Sequence, residues 1–119
     1  MSYLTCLGME MEPAQLQGHL DAMVLAVLTA QPAHGYEVIR RLASASGGVF
    51  DLPEGTVYPA LHRLEKAGLL SSRWEVVEGR RRRVYQVTVS GTARLRDRRA
   101  AWRAFAGAVD AVLSPGAPA

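Results

Sequence analysis

Cysteine and lysine are almost missing from this chain: Cys6 and Lys66 are the only ones among 119 residues. A lone thiol excludes an intrachain disulfide. Long hydrophobic runs are missing too. No stretch approaches the roughly 18 apolar residues of a membrane span, and no basic segment precedes an apolar one near the start. Neither a membrane segment nor a secretory leader is expected. Catalytic signatures are equally absent, with no Gly-rich phosphate loop and no GxSxG, HExxH or CxxC. Histidine is scarce: His19, His34 and His62 fall on three different predicted helices. They could meet in space, with Cys6 or an acid, but nothing in their spacing requires the convergence of three or four ligands that a metal site needs. The expectation is a cytoplasmic protein that is not an enzyme and carries neither cofactor nor metal.

What is present describes a globular protein. An apolar fraction of 49% and a charged fraction of 21% suit a soluble fold, and the length suits one domain. The net charge of +3 is mild, but its distribution is uneven. Thirteen of the fourteen cations are arginine, and nine of these fall within residues 80–103. A basic stripe on a balanced domain is the electrostatic footprint expected for nucleic acid.

Hydrophobic periodicity supplies the elements. Met1–Glu12 shows no clear period and reads as a loose extension, with further possible starts at Met9 and Met11. Leu20, Met23, Val24, Val27 and Leu28 follow the spacing of a half-buried helix over about 13–31, with Pro13 in its first turn and Gln31–Pro32 stopping it. A second helix runs from about His34 to Ser46, with Val38, Ile39 and Leu42 inward and Gly47–Gly48 ending it. In "DLPEGTVYPALHRLEKAGLL" (51–70), Val57, Leu61, Leu64 and Gly68 share one face of a third helix. Pro59 is tolerated if it falls in the first turn. The period then changes to two: Trp74 and Val76, the turn Glu78–Gly79, and Val84–Val89 read as a hairpin. Ser90–Gly91 caps a last helix over about 91–113. Three helices, a two-stranded hairpin and a fourth helix make a winged helix-turn-helix, mainly α with a small β-hairpin. The expected organisation is an extension over 1–12, a DNA-binding domain over 13–90, a dimerisation helix over 91–113 and a flexible tail over 114–119.

Three constellations carry function. The outer face of the third helix bears Tyr58, Pro59, His62, Arg63 and Lys66, where a solvated helix would carry Glu, Lys and Gln. A DNA major groove accepts one helix, whose N-terminal residues meet base edges. Thr56 and Pro59 then offer apolar contact to thymine, and His62 and Arg63 reach one turn deeper. Tyr58 either bonds a phosphate or base, or packs half-buried on the neighbouring helix. The hairpin tip "EGRRRRV" is the second: Arg80, Arg81, Arg82 and Arg83 alternate sides of a strand, so two face the duplex and two face solvent or an acid. Such a wing contributes affinity more than discrimination. The third is the last helix, where Leu95, Trp102 and Val109 with Arg98, Phe105 and Val112 form an a/d seam with one polar position. A homodimer built from this helix and the apolar first helix (Leu20, Val24, Val27) is expected.

"HGYEVIRRL" (34–42), "LPEGTVYPALHRLEKAGLL" (52–70) and "GRRRRVYQVTVSGTARL" (79–95) resemble the PadR family of bacterial transcriptional regulators, over about residues 16–95. The resemblance implies a homodimeric winged-helix repressor binding double-stranded operator DNA as two half-sites. It implies that Gly35 and Tyr36 open the second helix on the DNA side, Thr56–Arg63 form the recognition helix and Gly79–Arg83 form the wing. The short tail resembles the subgroup with a single C-terminal dimerisation helix. Some members respond to small hydrophobic effectors near the dimer interface. Trp102 and Phe105 either line such a pocket or serve as core residues. Two alternatives of other classes remain: a winged-helix protein-interaction module, which an acidic or apolar outer face on the third helix would favour, and a metal-responsive regulator using the histidines.

Overall fold

The computed structural model describes residues 4–6, 9–11 and 13–114. Strands β1 (Leu4–Cys6) and β2 (Met9–Met11) pair antiparallel within the stretch expected as an extension. Three-residue strands are too short to show a period. Of the expected tail, all but Ser114 lies outside the described residues, including Pro115 and Gly116.

Helix α1 (Pro13–Thr29) begins at a proline whose missing N–H no helical bond requires. Leu16, Leu20, Val24, Leu25 and Leu28 are buried, while Met23 and Val27 are half-buried on its flank. The helix ends two residues before the expected stop at Gln31. Its freed carbonyls find donors in side chains. Thr29 Oγ1 donates to the Leu25 carbonyl at 2.8 Å, and Arg41 Nη1 donates to the carbonyls of Val27 and Gln31 at 3.0 and 2.8 Å. Arg41 thus locks the α1 terminus to helix α2 (Gly35–Ala45), where Glu37 also holds it.

His34 caps α2: its Nδ1 accepts the Glu37 N–H at 3.2 Å, satisfying one of the donors a helix start leaves open. Val38 and Leu42 face the core. Helix α3 (Glu54–Lys66) buries Val57, Ala60, Leu61 and Leu64. Two expectations fail here. Gly68 is not on the helix face but just beyond its end, where Leu69 N–H reaches the Leu64 carbonyl and Gly68 N–H the Glu65 carbonyl, the paired bonds of a Schellman terminus. Pro59 is the sixth helical residue, in the second turn rather than the first. It therefore removes the bond that the Gly55 carbonyl would have received.

The sheet has three strands where two were expected. β3 (Ala33–His34), β4 (Leu70–Val77) and β5 (Arg80–Val87) are ordered β3-β5-β4, all antiparallel. A two-residue strand carries no alternation to detect. The β4–β5 turn places Glu78 and Gly79 at φ 51° and 77°, the paired positive values of a type I′ hairpin. Leu70, Tyr85 and Val87 point to α3 and join the core. Helix α4 (Val89–Leu113) begins earlier than Ser90–Gly91 because Thr88 is its cap, accepting the Gly91 N–H at 3.0 Å. Leu95 is buried; from Arg96 to Ser114 every residue but Ala106 is exposed. Among the described residues no helix is long and apolar enough to cross a membrane.

Candidate nucleic-acid interface

On α3, Pro59, His62 and Lys66 are exposed and succeed one another at steps of three and four, a single outward stripe. Thr56 is half-buried one turn before them. The uncapped start of the helix, with Pro53 offering no side-chain acceptor, leaves N–H groups pointing along the same end. Tyr58 takes the packed alternative: its ring lies half-buried over Gly35, and burial raises its hydroxyl pKa, so it stays protonated at neutral pH. Gly35 itself is buried beneath that ring. Its implied place in the DNA contact is corrected: it admits Tyr58 and presents nothing outward. Tyr36, next along, is exposed.

Arg63 also departs from the outer face. Its Nη2 donates to Asp21 Oδ1 on α1 at 2.8 Å, and its Nε is buried without a hydrogen-bond partner. The helix positions expected to project cations therefore split: Lys66 is outward, Arg63 is drawn back to its own domain.

The wing divides its arginines as strand alternation requires. Register pairs Trp74 with Arg83, Glu75 with Arg82, Val76 with Arg81 and Val77 with Arg80. Arg81 and Arg83 lie with Trp74 on the face turned to α3; Arg80 and Arg82 lie on the other, whose inner end approaches His34. Arg83 takes an acid. Its Nη2 stands 3.5 Å from Glu65 Oε2 on α3, and its Nε donates to Ser72 Oγ at 2.8 Å, while Ser72 donates onward to Glu65. Among the described residues Arg80, Arg81 and Arg82 form no ion pair. Gly79 belongs to the turn and sets the tip's geometry.

The expected dimer surface also divides. Leu20, Val24 and Leu95 are buried in the domain's own core, so they are corrected from interface to core; Val27 is half-buried. Trp102, Phe105, Val109 and Val112 remain exposed along α4. Arg98, the polar seam position, donates to the Gly18 carbonyl on α1. Trp102 meets His19 edge-on at 5.2 Å and leans on Phe105 at 6.2 Å. An open cavity of about 470 Å³ separates α1 from α4, lined by His19, Ala22, Met23, Ala26, Phe50, Leu95, Arg98, Arg99 and Trp102. Trp102 is thus a lining residue and Phe105 is not, and neither is a core residue.

The histidines serve separate ends: His34 caps a helix, His19 touches Trp102 and His62 faces outward. Among the described residues no group of three metal-capable side chains comes together. Sequence reasoning overlooked Glu65, Ser72, Asp21 and Trp74. Asp21 and Glu65 were out of reach, since their partners come from distant elements, whereas Ser72 sits diagonal to Arg83 in the same hairpin register. Trp74 was within reach too: a two-residue turn at Glu78–Gly79 sets the register and places it opposite Arg83.

Known proteins share this fold. A model of the Transcriptional regulator PadR-like family matches residues 24–97. A transcriptional regulator of Mycobacterium tuberculosis is 62% identical over 47 residues, which cover 39% of this chain and 44% of that protein. The crystal structure of a PadR family transcriptional regulator from Eggerthella lenta is 32% identical, with a TM-score of 0.73 over 87% of this chain and 89% of that one. A PadR-like transcriptional regulator from Bacillus cereus is 25% identical, with a TM-score of 0.75 over 85% and 97%.

Proposed function

The chain belongs to the PadR-like family of transcriptional regulators, and from that premise we propose that it is a cytoplasmic repressor binding a pseudo-palindromic operator as a homodimer. The observation that carries this reading is Glu65, which joins the recognition helix α3 to Ser72 and Arg83 of the wing. An acid on α3's flank holds the hairpin against the helix, so both present their free cations as one unit. Thr56, Pro59, His62 and Lys66 enter the major groove, and wing arginines that carry no ion pair meet the backbone from one side of the hairpin. Phosphate contacts of this kind set affinity, while the few groups on α3 read base edges.

One winged helix reads too few bases to find a promoter. Two copies joined along Trp102, Phe105, Val109 and Val112 of α4 would place recognition helices on successive major grooves, about 34–36 Å apart. The open cavity beside that stripe suits a small hydrophobic effector, whose binding against α4 would change the spacing of the two helices and release the DNA.

Footprinting on the DNA upstream of its own coding sequence, with sedimentation of the complex, tests the reading. The expected result is a protected stretch with two-fold symmetry and two protein chains per site. Binding that does not distinguish this DNA from random duplex, or one chain per site, would overturn it.

A further inference from the structure

Trp74 is a large aromatic in an unusual place. It lies on β4 in the exposed half of the hairpin with just over half its surface in water (54%), away from the core that begins at Leu70 and Tyr85. It pairs with Arg83 across the strands, and Arg81 is its diagonal neighbour. Both guanidinium groups rest over its ring, Arg81 at 4.8 Å from the centroid and Arg83 at 5.5 Å. A cation over an indole face is held by the ring's quadrupole, and a planar guanidinium also stacks.

The two arginines differ in what else holds them. Arg83 is committed to Glu65 and Ser72. Arg81 faces Val76 across the ladder, Glu75 points to the opposite side of the sheet, and no carboxylate pairs with it among the described residues. The result is a ladder running from α3 outward: Glu65, Arg83, Trp74, Arg81. Its last member is a fully charged group without a counter-ion. We propose that Trp74 is a positioning residue for DNA binding, its indole holding the Arg81 guanidinium at the wing for a backbone phosphate. The inference rests on the DNA-binding reading above and assigns one arginine of the run, and the residue that aims it. Unstacked, Arg81 would lose rotamer freedom on each encounter; stacked, it is already restricted to one side of the wing before DNA arrives.

The test compares wild type with W74F, which keeps a π face, W74L, which keeps bulk without one, R81A, and the double variant W74L/R81A. Binding to the upstream DNA and to a scrambled duplex is measured by fluorescence anisotropy across a salt series, with thermal melts alongside. R81A and W74L are each expected to lower the slope of log K against log salt by about one on both duplexes, and W74F to keep the wild-type slope. The double variant is expected to match R81A alone. A wild-type slope in W74L, or a further loss in the double variant, would overturn the positioning role while leaving the DNA-binding reading intact. A W74F that falls as far as W74L would overturn it as well, since the π face would then be irrelevant. Wild-type protein that binds neither duplex would overturn both.

Discussion

The Tyr58 ring lies so close over Gly35 that a Cβ on the glycine would stand 2.0 Å from Tyr58 Cε1. Helices α2 and α3 therefore meet through an aromatic seated on bare backbone, and the crossing depends on the absence of one methyl group.

Gly35→Ala should push the Tyr58 ring aside and destabilise the fold by about 1–3 kcal/mol, the usual cost of overpacking, because a ring can swing. Gly91→Ala should cost more. There the new Cβ would stand 2.1 Å from the Leu69 carbonyl oxygen, which is backbone and cannot move without shifting the end of α3. Urea unfolding of the two variants checks the order. A Gly91→Ala variant as stable as wild type would show that the α4 start is not packed this tightly.

Neighbouring residues on α3 should behave differently on DNA. His62 is outward, so His62→Ala is expected to lower affinity for the operator by roughly tenfold or more relative to random DNA, the worth of a base contact. Arg63 is tied to Asp21, with both side chains more than a third exposed. Arg63→Ala should cost about 1 kcal/mol or less of stability and leave the operator-to-random ratio near wild type. Competition binding with the two duplexes decides; a larger loss of ratio in Arg63→Ala would mean that it leaves Asp21 to read bases.

Stability should depend on pH through His34. Burial first, and then the charge of Arg82, lower its pKa below the ordinary value. Its neutral Nδ1 is the cap acceptor, so protonation and capping compete. The unfolded chain binds the proton more readily than the folded one. The contribution is therefore complete above the ordinary histidine value of about 6.5 and is lost as pH falls through the lower folded value. In His34→Asn, which caps without titrating, this part of the pH dependence should vanish. Melts between neutral and mildly acidic pH check it, and an unchanged profile in the variant would assign the dependence elsewhere.

Truncating the α4 stripe should separate assembly from folding. Trp102 and Phe105 are 52% and 63% exposed and lie outside the core cluster. Trp102→Ala with Phe105→Ala should leave a folded chain with wild-type helical signal that sediments as a monomer and no longer shifts the operator. A dimer that still shifts it would sink the assignment of this stripe.

Much of this was legible in the residues alone. The 3.6-residue period of 57–64 identified the buried face of α3, and Glu78–Gly79 between alternating strands identified the hairpin. The PEGTVYPALHRLE and RRRRVYQV segments carried the family. Local signals suffice for these because they depend on neighbours a few positions away.

Tertiary structure decided which partner each side chain takes. Periodicity marks Leu20, Val24 and Leu95 as apolar, but only their packing into one cluster with residues of α2, α3 and the sheet makes them core instead of interface. The pairing of Arg63 with Asp21 spans 42 residues, and that of Glu65 with Arg83 depends on where the hairpin docks. Composition shows fourteen Lys and Arg against eleven Asp and Glu; which of them cancel and which are left for DNA depends on distances that only the packed chain defines, because charge interaction falls off with separation in space, not along the chain.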